Sequence, residues 1–338
     1  MTALAEPTPP ARPRRDAGPA DIAAVLGDPD TPLVVATHRD PDGDAIGSML
    51  GLWRALVARG RDAVMWHVQE HPVPDDLAFL LRPGERIAIE PPADGPRRTL
   101  VALDCASAVR LTDGPLGRLG GRVLNLDHHH DNTRFGDLNL VEPRASSTAE
   151  VIVHVVEALG WPLAADVAEP LYVALVTDTG RFGYSNATPE AHRVAGLLVA
   201  AGADPAALAR RLYEEIPPGR ARLLGRALGG VDLELDGRLA VGVLDAAQLA
   251  AGGDDTEGIV EALRGIRGVA MAALLRELPG GDGYRVSLRA ADERVDVSEI
   301  ARQHGGGGHR AAAGVTVHRP LAEVRAWLQR EAARRLPP

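Results

Sequence analysis

The sequence predicts an α/β protein: a mostly parallel sheet with helices on both faces, then a smaller α+β domain, joined by a helical connector. Three observations carry this. From Leu33 to about Ala201, short apolar runs alternate with helix-period stretches, the pattern of a parallel sheet with crossover helices. From Val231 the texture changes to paired strands, with Asp236-Gly237 as a hairpin signal between Val231–Leu235 and Leu239–Leu244. Between these regions Asp204 to Leu228 is helical and Arg-rich, broken by Pro217-Pro218-Gly219, with no β pattern. The boundaries expected are a disordered tail over 1–20, a first domain over 21–201, a connector over 202–229 and a second domain over 230–338.

Bulk properties narrow the classes. A chain of 338 residues, 45% hydrophobic but only 3% aromatic, builds two cores from Ala, Val and Leu. A net charge of −9 argues against broad affinity for a nucleic acid duplex, though not against a local basic pocket. The single cysteine, Cys105, rules out an internal disulfide and fits a cytoplasmic setting. The first twenty residues lack an apolar core and do not read as a secretory signal, and no run is long enough to span a membrane.

Along the chain, Leu33-Val34-Val35-Ala36 reads as a strand and Ala45 to Ala58 as a helix. The loop between them, Thr37 to Ser48, holds His38, Asp40, Asp42 and Asp44, with Gly43 and Gly47 expected to let the backbone turn. One imidazole and several carboxylates at a strand's carboxyl end suit a hard divalent cation, in the place where open α/β sheets hold ligands. Taken alone, the same residues also make an ordinary Asp-Pro-Asp-Gly turn. Strands follow at Ala63–Trp66, Arg98–Leu103 and Arg122–Leu126. The second of these ends in Asp104, costly to bury unless paired or on a metal. The third leads into Asp127-His128-His129-His130-Asp131, where consecutive histidines cannot all serve packing. Helices are expected at Ser147–Leu159, Ala164–Val176 and Pro189–Ala201, the first opened by a Ser147/Glu150 capping box that makes Glu150 a cap and not a catalytic acid. Asp178 follows the next apolar run on a Gly-containing turn. Four segments thus deliver His38, Asp42, Asp44, Asp104, His128 and Asp178 at element ends, enough for two divalent cations sharing a carboxylate. In the second domain a helix is expected over Thr256–Arg264. Strands are expected at Val269–Arg276, Tyr284–Ala290 and Ala311–Val317, and a closing helix over Pro320–Arg335.

On these residues the chain resembles the DHH-family phosphoesterases with the associated DHHA1 domain, over nearly its whole length after the tail. The motifs are Thr37 to Asp44, Leu103-Asp104, Asp127-His128-His129, Ser146 to Glu150, Thr177 to Gly180 and Gly305 to His309, all in the family's order. The resemblance implies two Mn2+ ions, with Mg2+ or Co2+ as substitutes. It assigns His38, Asp42 and Asp104 to one and Asp44, Asp104, His128 and Asp178 to the other, with Asp104 bridging. His129 then faces the scissile phosphate as donor or general acid, and Asp40 lies behind the ligands or in solvent. Asp127 fixes the pair as His128 and His129, leaving His130 outside the motif.

The resemblance places the substrate's terminal phosphate and nucleotide on Ser287, Arg289, Gly307, Gly308 and His309. Glycine amides offer an anion nest, and Ser287 and Arg289 share a strand face. Arg110 matches a further family arginine. The activity implied is hydrolysis of oligoribonucleotides of two to five residues to mononucleotides and removal of the 3′-phosphate of adenosine 3′,5′-bisphosphate (pAp). A linear or cyclic dinucleotide phosphodiesterase, acting on pApA or cyclic di-AMP, is the alternative. An inorganic pyrophosphatase and a non-catalytic nucleotide sensor rank below it. Expected partners are these short nucleotides, with no long duplex and no membrane, and with room for a homodimer.

Overall fold

Apolar side chains at nearly every position of Leu33–Thr37 and Thr99–Leu103 leave neither strand a solvent face, as a parallel sheet covered on both sides requires. The computed structural model describes residues 14–292 and 294–336, with backbone alone at residue 309. It divides into two units, Met1–Glu214 and Glu215–Pro338.

In the first unit the elements run β1 (Arg15–Asp16), α1 (Pro19–Leu26), β2 (Leu33–Thr37), α2 (Gly43–Val57), β3 (Ala63–Trp66), β4 (Ile87–Ala88), β5 (Thr99–Leu103), α3 (Ala108–Leu111), β6 (Arg122–Asp127), β7 (Leu138–Val141), α4 (Thr148–Ala158), α5 (Ala165–Asp178), α6 (Pro189–Ala200) and α7 (Pro205–Tyr213). Among the described residues the strands form one parallel sheet in the order β1-β7-β6-β5-β2-β3-β4. Strand order reverses between β2 and β5, so the crevice beyond their carboxyl ends is the topological switch point. Val35, Val101, Leu103 and Leu124 pack beneath α1, α2, α4 and α5, each buried Leu or Val contributing about 1.5–3 kcal/mol. The opposite face, with Val34, Ala36, Leu100 and Ala102, is covered by short α3 and the single turn Leu116–Arg118.

Glycines set how closely α2 meets α5. A Cβ at Gly43 would strike Thr177, at Gly47 Pro170 and Ala174, and at Gly51 Leu171. Spaced four apart, the three lie on one helix face. Gly43 and Gly47 therefore serve close helix packing and not the turn expected of them. The helix begins two residues earlier than expected, which puts Asp42 at its N-cap and Asp44 in its first turn.

The N-terminal segment also departs from expectation. Residues 1–13 of the expected tail lie outside the described residues, but 14–20 are ordered. Arg15 and Ala17 donate backbone N–H bonds to Asp137 and Asn139 (3.1 and 3.0 Å), which adds β1 to the sheet edge. Asp21 then accepts from the Gly18 amide (2.9 Å), and Pro19 supplies the preset first helical residue of α1.

The second unit contains α8 (Pro218–Gly229), β8 (Asp232–Glu234), β9 (Leu239–Leu244), α9 (Ala246–Gly252), α10 (Ile259–Arg264), β10 (Met271–Glu277), β11 (Tyr284–Ala290), α11 (Val297–Arg302), β12 (Gly307–His309), β13 (Ala312–Val317) and α12 (Leu321–Arg335). Its mixed sheet runs β12-β13-β11-β10-β9-β8. The stretch expected as a connector over 202–229 is divided: Leu208 of α7 joins the first unit's core, and Leu223 and Ala227 of α8 join the second's. The glycine run read as an anion nest ends in strand: Gly307, Gly308 and His309 pair with Gly314, Ala313 and Ala312. Gly308 has φ +137°, and a Cβ there would strike the Ala312 carbonyl, so only glycine fits.

Candidate metal-dependent active site

The end of β2 fixes the first group. Thr37 Oγ1 donates to the Leu103 carbonyl (3.0 Å), holding the ends of β2 and β5 side by side. His38 follows, buried, with Nδ1 2.7 Å from the Arg39 carbonyl. A carbonyl only accepts, so Nδ1 carries a proton, and Nε2 faces Asp104 Oδ2, 3.3 Å away. Arg110 Nη2 lies 3.2 Å from the same Nδ1; with that nitrogen protonated, this is a close approach and not a hydrogen bond. The Gln69 amide donates to His67 Nδ1 (3.1 Å), which leaves His67 Nε2 to donate to the His38 carbonyl (2.8 Å).

Helix termini supply the carboxylates. Asp42 caps α2, accepting from the Ala45 amide (3.1 Å). Asp44 is buried against the N-terminus of α4, accepting from the Thr148 and Ala149 amides (2.6 and 3.2 Å) and from Ser48 Oγ (3.0 Å). Asp104, directly after β5, sits in left-handed backbone (φ +56°) and accepts from Thr148 Oγ1 (3.0 Å). Asp178 ends α5, where the glycine contacts of α2 bring it beside Asp44. His128 joins them. Its Nδ1 lies 3.3 Å from the Ala145 carbonyl, and its Nε2 lies 3.5 Å from Asp178, 3.7 Å from Asp104 and 3.8 Å from Asp44. Both imidazoles thus turn Nδ1 to a carbonyl and Nε2 to the carboxylates, the orientation of metal-binding histidine.

The electrostatics are those of like charges buried together. Burial, then the charges of Asp104, Asp178 and Asp42, raise the Asp44 carboxyl well above the ordinary range. Burial, with Asp104 and Asp42 adding repulsion, pushes Asp178 up to about 7. Burial works against Asp104 as well, but the bond and charge of His38, with His128 and His129 behind it, hold that carboxyl below the usual range. Burial likewise opposes protonation of His38, and Asp104 and Asp42 outweigh it. Ligand atoms of His38, Asp42 and Asp104 lie within 4.8 Å of one another, as do those of Asp44, His128 and Asp178, and those of Asp104, His128 and His129. Oxygen donors with one imidazole in each of the first two groups fit Mn2+- or Mg2+-class ions.

His129 stands apart from the ligands in its pairing. Its Nδ1 meets Asp127 Oδ1 at 2.7 Å, and that oxygen also accepts from the His128 amide (2.8 Å). Burial lowers its basicity, but the Asp127 bond and the Asp104 charge raise its pKa to about 9. Asp127 is itself fully buried, with Asn132 Nδ2 on its second oxygen. Asp127 as the holder of His129, Asn132 behind it and Thr148 across two carboxylates were not singled out for these roles from sequence. Asp127 lay inside the His-rich motif and Thr148 inside the Ser146 to Glu150 motif, but Asn132 carries no local signal.

The remaining candidates fall as follows. His130 is exposed. Asp40 pairs with Gln69, donating its amide to Oε1 (2.7 Å) and accepting from Nε2 (2.8 Å), so its partner is not His38. Ser147 caps α4 as expected, accepting from the Glu150 amide (3.2 Å). The Glu150 carboxylate, however, takes the amide and hydroxyl of Ser146 (3.1 and 2.5 Å), so the capping box closes one residue early and Glu150 is structural. Ser287 and Arg289 share one half-buried face of β11, with Arg289 Nε on Glu261 of α10 (2.7 Å). No helix among the described residues is long and apolar enough to cross a membrane.

A carboxylate–imidazole cluster that could hold a metal, at the switch point of a parallel sheet and followed by a small mixed-sheet unit, fits the phosphoesterase class. The chain belongs to the DHH family: its DHH N-terminal domain spans residues 32–175 and its DHHA1 domain 237–333. It is 38% identical over 297 residues to the bifunctional oligoribonuclease and PAP phosphatase NrnA of Thermus thermophilus, covering 88% of this chain and 87% of that one. Among solved structures it is similar to an exopolyphosphatase-related protein from Bacteroides fragilis. There the TM-score is 0.85 at 23% identity, over 94% of this chain and 96% of that one. RecJ from Thermus thermophilus in complex with Mn2+ shares the fold at TM-score 0.55 and 17% identity, over 98% of this chain and 56% of that one.

Proposed function

We propose that this phosphoesterase uses two manganese ions to hydrolyse short oligoribonucleotides, of two to five residues, to mononucleotides, and to remove the 3′-phosphate of pAp. The observation that carries the reading is the pair of ligand groups, His38/Asp42/Asp104 and Asp44/His128/Asp178, with Asp104 reaching both through His38 and His128. Asp104 would then serve both cations. When bound, the cations supply the charge that makes water nucleophilic at neutral pH and that neutralises the phosphoryl oxygens.

The chain's own residues do the rest. In His38 and His128 Nδ1 is committed to a carbonyl, so Nε2 is the nitrogen left to face a cation. His129, held by Asp127 and protonated at neutral pH, donates to a phosphate oxygen or to the leaving oxygen. Arg110, close enough for its charge to act on His129, contacts the phosphate. In the second unit Ser287, Arg289, Gly307, Gly308 and His309 bind the substrate's other phosphate, Arg289 exchanging its Glu261 partner for that anion. The relative from Thermus, which carries both activities in its name, supports the substrate class.

The test is product analysis with Mn2+, offering labelled RNA of graded length beside pAp, pApA and cyclic di-AMP, with Asp104→Ala as control. Steep preference for the shortest RNAs with mononucleotide release, and 3′-dephosphorylation of pAp, is expected. Activity confined to dinucleotide second messengers would replace this reading with signalling turnover. Turnover that survives Asp104→Ala would remove the metal mechanism.

A further inference from the structure

The chain has only 3 Phe, 4 Trp and 4 Tyr in 338 residues, yet Phe182, Tyr184 and Tyr213 gather around the turn that follows Asp178. That turn is conformationally costly. Gly180, Arg181 and Phe182 have φ of +55°, +61° and +60° in succession, and two of them carry side chains that disfavour this region. The surroundings hold it there. Arg181 N–H donates to the Val176 carbonyl (2.8 Å), and the Gly183 and Tyr184 amides both donate to the Thr179 carbonyl (3.0 Å each). Asn186 Nδ2 ties the returning chain to the carbonyls of Asp178 (3.1 Å) and Ser146 (2.9 Å).

The outcome is a placed ring. Tyr184 lies against Gly180, where an added Cβ would strike three of its ring atoms, so residue 180 must be glycine for the ring to sit there. The neighbouring side chains face each other: Phe182 stacks on His192 (centroids 4.9 Å, 25°), and the Arg181 guanidinium covers the Tyr213 ring at 3.6 Å. Tyr184 is the exposed member, at 46%. A core aromatic would be buried, and a surface loop would not need three left-handed residues.

We propose that Tyr184 is the stacking floor of a nucleobase subsite beside the Asp178 ligand. This rests on the nucleotide phosphoesterase reading above. A base is joined to its phosphate through a single sugar, so a ring whose amide bonds the residue next to Asp178 is within reach of the base whose phosphate lies at the carboxylate cluster. Stacking accepts any base, which suits an enzyme that degrades mixed-sequence fragments. Backing by Gly180 and the fixed turn mean the ring need not be ordered on binding.

The test compares pAp with its abasic counterpart, 1,2-dideoxyribose 3,5-bisphosphate, on the full chain with Mn2+. Wild type should prefer pAp. Tyr184→Ala should lower kcat/KM for pAp about tenfold, chiefly through KM, and shrink the pAp-to-abasic ratio toward one. Tyr184→Phe should restore the ratio, which separates stacking from loss of fold. A Tyr184→Ala protein that keeps the wild-type ratio overturns the subsite and leaves the phosphoesterase standing. Wild-type protein inert toward both bisphosphates overturns the pAp phosphatase reading, and the subsite with it.

Discussion

The two ends of α2 carry buried charges of opposite fate. Near its carboxyl end Arg54, 5% exposed, has an acceptor for every nitrogen. Glu85 takes Nε and Nη2 (2.8 and 2.7 Å), the Asp166 carbonyl takes Nη1 (2.9 Å) and the Leu80 carbonyl shares Nη2. At the amino end Asp44, 2% exposed, is met by two amides and a hydroxyl, and beyond them by the charges of three more carboxylates. Burial is the same in both places; neutralisation is not. A buried ion that brings its own counter-charge holds the fold together, whereas one surrounded by its own sign holds a place for something that binds.

That contrast can be broken in stages. The largest effect belongs to Asp104→Ala, which should cut kcat/KM with Mn2+ about a thousandfold or more and abolish the rise in Tm that added Mn2+ produces. Arg54→Ala should do the reverse, costing about 1–3 kcal/mol in denaturant melts because half-buried Glu85 and the Leu80 and Asp166 carbonyls lose their shared donor, while the Mn2+-induced rise in Tm persists. If Arg54→Ala erased the cation response as fully as Asp104→Ala, the two ends of α2 would not be distinct. A smaller, sharper effect is expected at His129. Replacing it with Gln should lower kcat about a hundredfold with Mn2+ affinity retained. Asp127→Asn should draw the alkaline limb of the rate profile down from pH about 9, since losing that carboxylate makes the imidazolium easier to deprotonate.

A further effect falls on stability in chelator. Asp178 titrates at about 7 in the folded chain against about 4 when unfolded. Between those values the native state holds a proton that the unfolded state has released, so stability falls as pH rises through this window. His129, with its folded value raised to about 9, extends the decline above its unfolded value. Calorimetric melts from pH 4 to 9 should show the fall in chelator and a flatter profile with Mn2+. An apoprotein that gains stability with pH across that range would contradict the cluster's electrostatics.

Much of the site was legible because its residues sit where apolar runs stop: His38 after β2, Asp104 after β5 and His128 after β6. What could not be read was anything depending on a second element's position. The amides of Thr148 and Ala149 reach Asp44 from 104 and 105 residues away. Arg289 looked available for phosphate, but its partner Glu261 comes from a helix 28 residues earlier. Strand β1, a two-residue edge made by pairing alone, has no periodicity to detect, and the proline- and arginine-rich composition around it pointed the other way. The glycines of α2 were noticed, but their reason, the approach of α5, is a tertiary fact.

That approach has a consequence for the spacing of the carboxylates. With no side chain between them at Gly43, Gly47 and Gly51, α2 and α5 meet backbone to side chain, and the ends bearing Asp42, Asp44 and Asp178 cannot drift apart without opening the whole seam. A methyl group added at any of the three would push the helices apart and widen the gap between Asp178 and its neighbours on α2. The distance between these charges is thus written in three missing methyl groups.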